Sequence, residues 1–171
     1  MADLKSIVNE CLIQHEGGEA FFDALDDMMR NDTLLITMLI GRVLATSSWD
    51  YIITSGTFGK LFKEYSDKNM PESFSSRIIT VPGGLRNGTN ITPFWENIEC
   101  SNKKFIFLDD SFYKGRTRDV VKKAVEEHNG NFINTYVFYD GSREKEPNVY
   151  SFYRYFDEHP EELNKPSYKD Q

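Results

Sequence analysis

The segment KKFIFLDDSFYKGRTRDVVKKAVEEHNG, Lys103 to Gly130, changes periodicity in its middle. "KFIFLD" is a short, continuous apolar run, the pattern of a strand buried on both faces. It closes on two adjacent carboxylates, Asp109 and Asp110, and a short loop then leads to Gly115, Arg116 and Thr117. From Thr117 to Asn129 the spacing becomes helical. Val120, Val121, Ala124, Val125 and His128 share one side, Thr117 is a candidate N-terminal cap, and Gly130 is the expected stop.

The same alternation extends outward in both directions. "YIIT" is a short apolar run followed by the loop "SGTFG" and a helical "KLFKEYSDKN"; "RIITV" reads as the next strand, and "NFINTYVFYD" follows the Lys103 to Gly130 unit as a fourth. Between the second and third strands lies "PGGLRNGTNITPFWENIECSN", 21 residues without periodicity. A loop of that length inside a compact domain is usually functional or mobile. Upstream, Leu4, Ile7, Val8, Cys11 and Leu12 recur at helical spacing, "GEAFFDALDDMMR" does so again, and Leu34 to Ala45 forms a third helix that Asp32 or Thr33 can cap. Strands alternating with helices predict one α/β domain over residues 1–171, with a central, mostly parallel sheet flanked by helices. Residues 1–46 form its helical N-terminal part, 50–140 its core and 141–171 a C-terminal hood or tail.

Composition narrows the function classes. At 171 residues, 39% of them hydrophobic and 14% aromatic, the chain has material for one continuous core. The formal net charge of -7 argues against a general nucleic-acid coat or a binder of anionic membranes. Cys11 and Cys100 form neither a disulfide framework nor a zinc-ligand arrangement, and the N-terminus lacks an apolar signal region, so a reducing cytoplasm is the expected compartment. The most apolar run, Leu34 to Ala45, is interrupted by Arg42 and too short to span a bilayer. The N-x-S/T sequons at Asn31, Asn87 and Asn90 carry no meaning in that compartment.

In a parallel sheet, ligands bind beyond the carboxyl ends of the strands, where Asp109 and Asp110 are expected. The following helix directs its N-terminus back at the loop. Its unpaired backbone N–H groups and positive dipole end favour an anion, Gly115 lets a phosphate approach the backbone, and Lys114 and Arg116 add positive charge. Carboxylates accept hydrogen bonds from sugar hydroxyls or hold hydrated magnesium, so one loop offers both ends of a phosphorylated sugar their partners. Standing alone, the acidic pair would equally suit a turn with a helix cap.

It does not stand alone. "FIFLDDSFYKGRT" resembles the signature of the type I phosphoribosyltransferases: four apolar residues, two acidic ones, a short variable stretch, a glycine and a hydroxyl residue. The order of elements from Asp50 to Asp140 is also similar to that family, with "IITSGTFGK" in the place of its pyrophosphate loop and the 21-residue stretch in the place of its closing loop. The resemblance implies a glycosyltransferase of nucleotide metabolism that binds phosphoribosyl pyrophosphate with Mg2+ and transfers phosphoribose to or from a nucleobase. It implies that Asp109 and Asp110 hold the ribose hydroxyls and neighbour the metal, with Ser111 in the same substrate-binding set. Lys114, Gly115, Arg116 and Thr117 would cradle the 5'-phosphate. Backbone groups of Ser55, Gly56, Thr57, Phe58 and Gly59 would meet the pyrophosphate. In "EPNVYSFYRYF", Val149 or Tyr150 would take the place where purine-type members stack the base, although so many aromatics equally suit core and edge-strand packing.

The chain departs from the family in places that matter. Lys114 stands where many members have threonine, Tyr113 where purine-specific members have an acid, and Arg86 is the long loop's only cation. A non-catalytic regulator or sensor on the same fold, nucleic-acid-binding in some cases, is therefore the second reading, and an interaction protein with a vestigial pocket the third. A homodimer is compatible with each. His15, His128 and His159 form no metal-ligand pair, "SGTFGK" lacks Walker spacing, and Asp26, Asp27, Glu126 and Glu127 read as solvated helix faces.

Overall fold

The computed structural model describes residues 33–46, 48–85, 91 and 96–164. The expected helices before residue 33, with Cys11 and His15, lie outside the described residues, as do Arg86 and the three sequons. Five strands carry the fold: β1 (Tyr51–Ser55), β2 (Ile78–Val81), β3 (Lys104–Phe112), β4 (Asn131–Asp140) and β5 (Val149–Arg154). Every pairing is parallel, in the order β2-β1-β3-β4-β5. The helices are α1 (Leu34–Ala45), α2 (Gly56–Asn69), the single turn α3 (Glu72–Ser75), α4 (Arg116–Glu127) and α5 (Tyr155–Glu158), followed by a 3₁₀ turn, Pro160–Asn164. The chain thus has the α/β fold expected of its alternating pattern.

Both sheet faces are apolar because both are covered. On one, Ile52, Ile78, Ile106, Leu108, Tyr136 and Phe138 pack with Leu35, Leu39 and Val43 of α1 and with Phe58 and Phe62 of α2. On the other, Ile53, Ile79, Phe105 and Phe107 meet Val121, Ala124 and Val125 of α4. Leu85, Ile91 and Cys100, from the connection between β2 and β3, join that second core. The described part of the expected closing loop is therefore pinned to the sheet by buried side chains.

Four boundaries differ from the sequence reading. β3 runs through Phe112, beyond the expected end at Asp109, so Asp110 and Ser111 also lie within the strand. Pairing to β4, with Ser111 opposite Tyr139 and Phe112 opposite Asp140, outweighs the turn tendency of Asp-Asp-Ser. "SGTFG" is not a loop: α2 begins at Gly56 directly after β1. The cap position of α4 is Gly115, not Thr117, which sits inside the first turn. At the other end of α4 the left-handed residue is Asn129, φ 61°. Gly130 follows it, and a side chain there would meet Phe105 at 2.8 Å and Val125 at 2.9 Å. A fifth strand, β5, completes the sheet where the C-terminal hood or tail is expected.

A polar network closes the carboxyl edge beside β5. Asp140 is buried, and its Oδ1 accepts the Ser142 N–H at 2.8 Å. Arg154 Nε lies 3.7 Å from Asp140 Oδ2, while its terminal nitrogens donate to the carbonyls of Ser142 (2.7 Å) and Arg143 (2.9 Å) and to Asp157 (2.9 Å). Desolvation pushes the Asp140 carboxyl above its ordinary 3.8, against the opposing hydrogen bonds from Ser142 and the charge of Arg154. The folded chain then binds this proton more tightly than the unfolded chain. Stability attributable to Asp140 is greatest in acid, falls as pH rises above the ordinary value, and is fully lost above the raised one. Asp140→Asn is expected to flatten that part of the stability profile, measured by urea unfolding across the acidic range; an unchanged slope would remove Asp140 as its source.

Candidate functional site

In the order β2-β1-β3, the chain leaves β1 in one direction and returns to β3 on the other side, so the crevice beyond the ends of β1 and β3 is the topological switch point. Leu108 pairs with Thr54, which puts Asp109 level with the last residue of β1. The run from Asp109 to Arg118, together with Phe107 and Gly84, lines a cavity of about 260 Å³ there. Asp109 and Asp110 are half-buried. Asp109 Oδ1 accepts the Asp110 N–H at 2.9 Å, and Ser111 Oγ donates to Asp110 Oδ1 at 3.3 Å.

The start of α4 lines the same cavity. Gly115 holds φ 75°, the left-handed region that turns the chain sharply from strand into helix. The first helical bond runs from Asp119 N–H to Gly115 O at 2.8 Å, so the N–H groups of Arg116, Thr117 and Arg118 have no partner within the helix. Lys114, Arg116 and Arg118 surround them with positive charge. A side chain at residue 115 would meet Arg118 Nη2 at 2.7 Å and Phe112 Cζ at 3.0 Å. Gly115→Ala should therefore lower unfolding stability by about 1–2 kcal/mol, the usual cost of a left-handed non-glycine residue. Chemical denaturation checks this, and a neutral result would show that the turn can relax.

The structure thus gathers Asp109, Asp110, Ser111, Lys114, Gly115, Arg116 and Thr117 around one space. Other expected residues lie elsewhere. Gly56 and Thr57, with Lys60, Lys63 and Gly83, line a separate groove of about 650 Å³ between α2 and β2. Ser55 is the buried cap position of α2, Phe58 is buried in the core, and Gly59 packs so closely that an added Cβ would stand 2.9 Å from Thr54 Oγ1. The Phe58 side chain and the Cα of Gly59 thus serve the packing of α2 on β1. Val149 is buried beside Phe112 and Val137, and Tyr150, 44% exposed, stacks on Tyr136 at 5.5 Å; neither lines the acidic cavity.

Arg118 belongs to the site and escaped the motif. Its position three residues after Gly115, on the same side of the first turn, is the signal that could have found it. Among the described residues no group of three or more His, Cys, Asp or Glu side chains converges as a metal cage. Two half-buried carboxylates nevertheless suit Mg2+, which ordinarily takes one or two protein carboxylates and completes its shell with water and substrate phosphate. No helix among the described residues is long and apolar enough to cross a membrane. No protein-family profile and no curated protein sequence matches the chain.

Proposed function

We propose that the chain binds phosphoribosyl pyrophosphate with Mg2+ and transfers phosphoribose to or from a nucleobase, acting in the cytoplasm. The observation that carries this reading is one cavity lined both by Asp109 and Asp110 and by the first turn of α4, which follows a left-handed Gly115. Acceptors and donors lining one cavity suit a sugar whose hydroxyls need acceptors and whose 5'-phosphate needs donors. Asp109 and Asp110 orient the ribose and would hold the metal. Mg2+ supplies charge neutralisation for the leaving pyrophosphate. Lys114, Arg116 and the Thr117 hydroxyl fix the phosphate, so the anomeric carbon is presented in one orientation, and catalysis rests on that positioning.

A sensor on the same fold is the alternative, favoured by the buried anchoring of Leu85, Ile91 and Cys100 in the connection that would have to close. Calorimetric titration with the donor and Mg2+, followed by incubation with purines, pyrimidines and orotate while pyrophosphate release is measured, tests both. Binding with release from one base supports the transferase. Binding without release leaves the sensor, and no binding at millimolar donor overturns both.

A further inference from the structure

We propose that Arg118 is an additional phosphate-binding residue and that Glu146 is its competing partner, so that an incoming phosphate monoester and the β4–β5 connection compete for one guanidinium. The inference rests on the sugar-phosphate reading of the cavity and deepens it.

Arg118 is poised over the cradle. Its Nη2 lies 2.7 Å from where a side chain on Gly115 would begin, its Cζ stands 5.3 Å from the Phe112 ring centroid, and its side chain is only 14% exposed. Nε meets the neighbouring Asp119 at 2.6 Å. Nη2 reaches Glu146 Oε2 at 3.4 Å, a contact between residues 28 positions apart. That distance exceeds the 2.7–2.9 Å or so of a strong charge-assisted bond, so the Glu146 contact is weak and exchangeable.

The connection that carries Glu146 is fixed firmly at its other end. Gly141 N–H donates to Phe112 O at 2.8 Å, and Arg154 holds the carbonyls of Ser142 and Arg143. Glu146 links the far part of this connection to α4, and its carboxylate is partly solvent-exposed. A phosphate offers the guanidinium fork two oxygens and a greater charge than one carboxylate oxygen. Its arrival would draw Nη2 from Glu146 and release residues 144–147, just before β5 begins.

The test titrates inorganic phosphate and ribose 5-phosphate into the full chain and its variants by calorimetry. Glu146→Gln should tighten phosphate binding about threefold, the scale of an exposed ion pair. Arg118→Gln should weaken it about tenfold or more, as removal of a charge-assisted bond does. In the Arg118→Gln background, Glu146→Gln should have no further effect. Unchanged or weakened phosphate binding in Glu146→Gln overturns the proposal, and so does failure of both it and the parent chain to bind phosphate. The donor reading fails separately, if phosphoribosyl pyrophosphate with Mg2+ binds no tighter than inorganic phosphate while the Glu146 effect persists.

Discussion

Arg154→Met is expected to lower the unfolding free energy by about 3–5 kcal/mol, because removing one partner leaves a buried charge uncompensated. The Arg154 side chain is 11% exposed and serves four groups together: the Asp140 carboxylate, the carbonyls of Ser142 and Arg143, and Asp157. Methionine keeps much of the volume but none of the donors. Asp157 is exposed and recovers water, whereas Asp140 is 3% exposed and does not. Adding Asp140→Asn to Arg154→Met should recover part of the stability, since the unpaired carboxylate is then gone. Urea unfolding of the four species measures this. A decrease below about 1 kcal/mol for Arg154→Met would place the residue in the class of exposed ion pairs.

The second large effect concerns the acidic pair. Asp109→Asn with Asp110→Asn is expected to weaken binding of phosphoribosyl pyrophosphate with Mg2+ by about 100-fold or more, since a hydrogen bond to a charged group contributes about 1.5–3 kcal/mol. Folding should be nearly untouched. Both residues are half-buried, and an asparagine oxygen at 109 can still accept the residue 110 N–H that Asp109 Oδ1 now accepts at 2.9 Å. Calorimetry measures the affinity and thermal melting the stability. Intact affinity would defeat the donor reading. Unfolding of the double variant would assign the pair to the architecture of β3.

The parts of this fold that can be read from sequence are those whose signal is local. "KFIFLD" and "RIITV" are mostly apolar between their ends because helices cover both faces, and α4 shows its buried Val121, Ala124 and Val125 at helical spacing. β5 is harder to recognise because its aromatics, at 150, 152 and 153, do not keep to one face: Tyr150 stacks on Tyr136, while Phe152 and Tyr153 both contact Phe138. No alternation survives that arrangement. The extension of β3 from Asp110 to Phe112 is set by its neighbour β4, a long-range cause that no local window contains. The site divides in the same way. Asp109 to Thr117 are near neighbours in the chain and are legible together, whereas the Arg118 to Glu146 contact exists only after β4 has crossed between them. Gly59 shows why such a loop is hard to read: a glycine that lets helix and strand touch looks the same in sequence as a glycine that admits a ligand.

The central place of β3 has a consequence for biosynthesis. Asp50, at the threshold of β1, donates its N–H to Lys104 O at 2.8 Å and accepts the Lys104 N–H on Oδ2 at 2.7 Å, across 54 positions of chain. On the ribosome β1 is therefore complete long before its inner neighbour has been translated. Until then one side of Ile52 and Ile53 has no permanent partner, and β1 can form only the β1–β2 half of its hydrogen bonding. Non-local parallel pairing of this kind slows folding and leaves nascent chains open to association through unpaired strands. The second half of the sheet has no such delay, since β3, α4 and β4 follow one another directly. The order of synthesis thus makes β3 the strand whose emergence joins two separately started halves, and the acidic pair at its end is assembled into its crevice only when that junction closes.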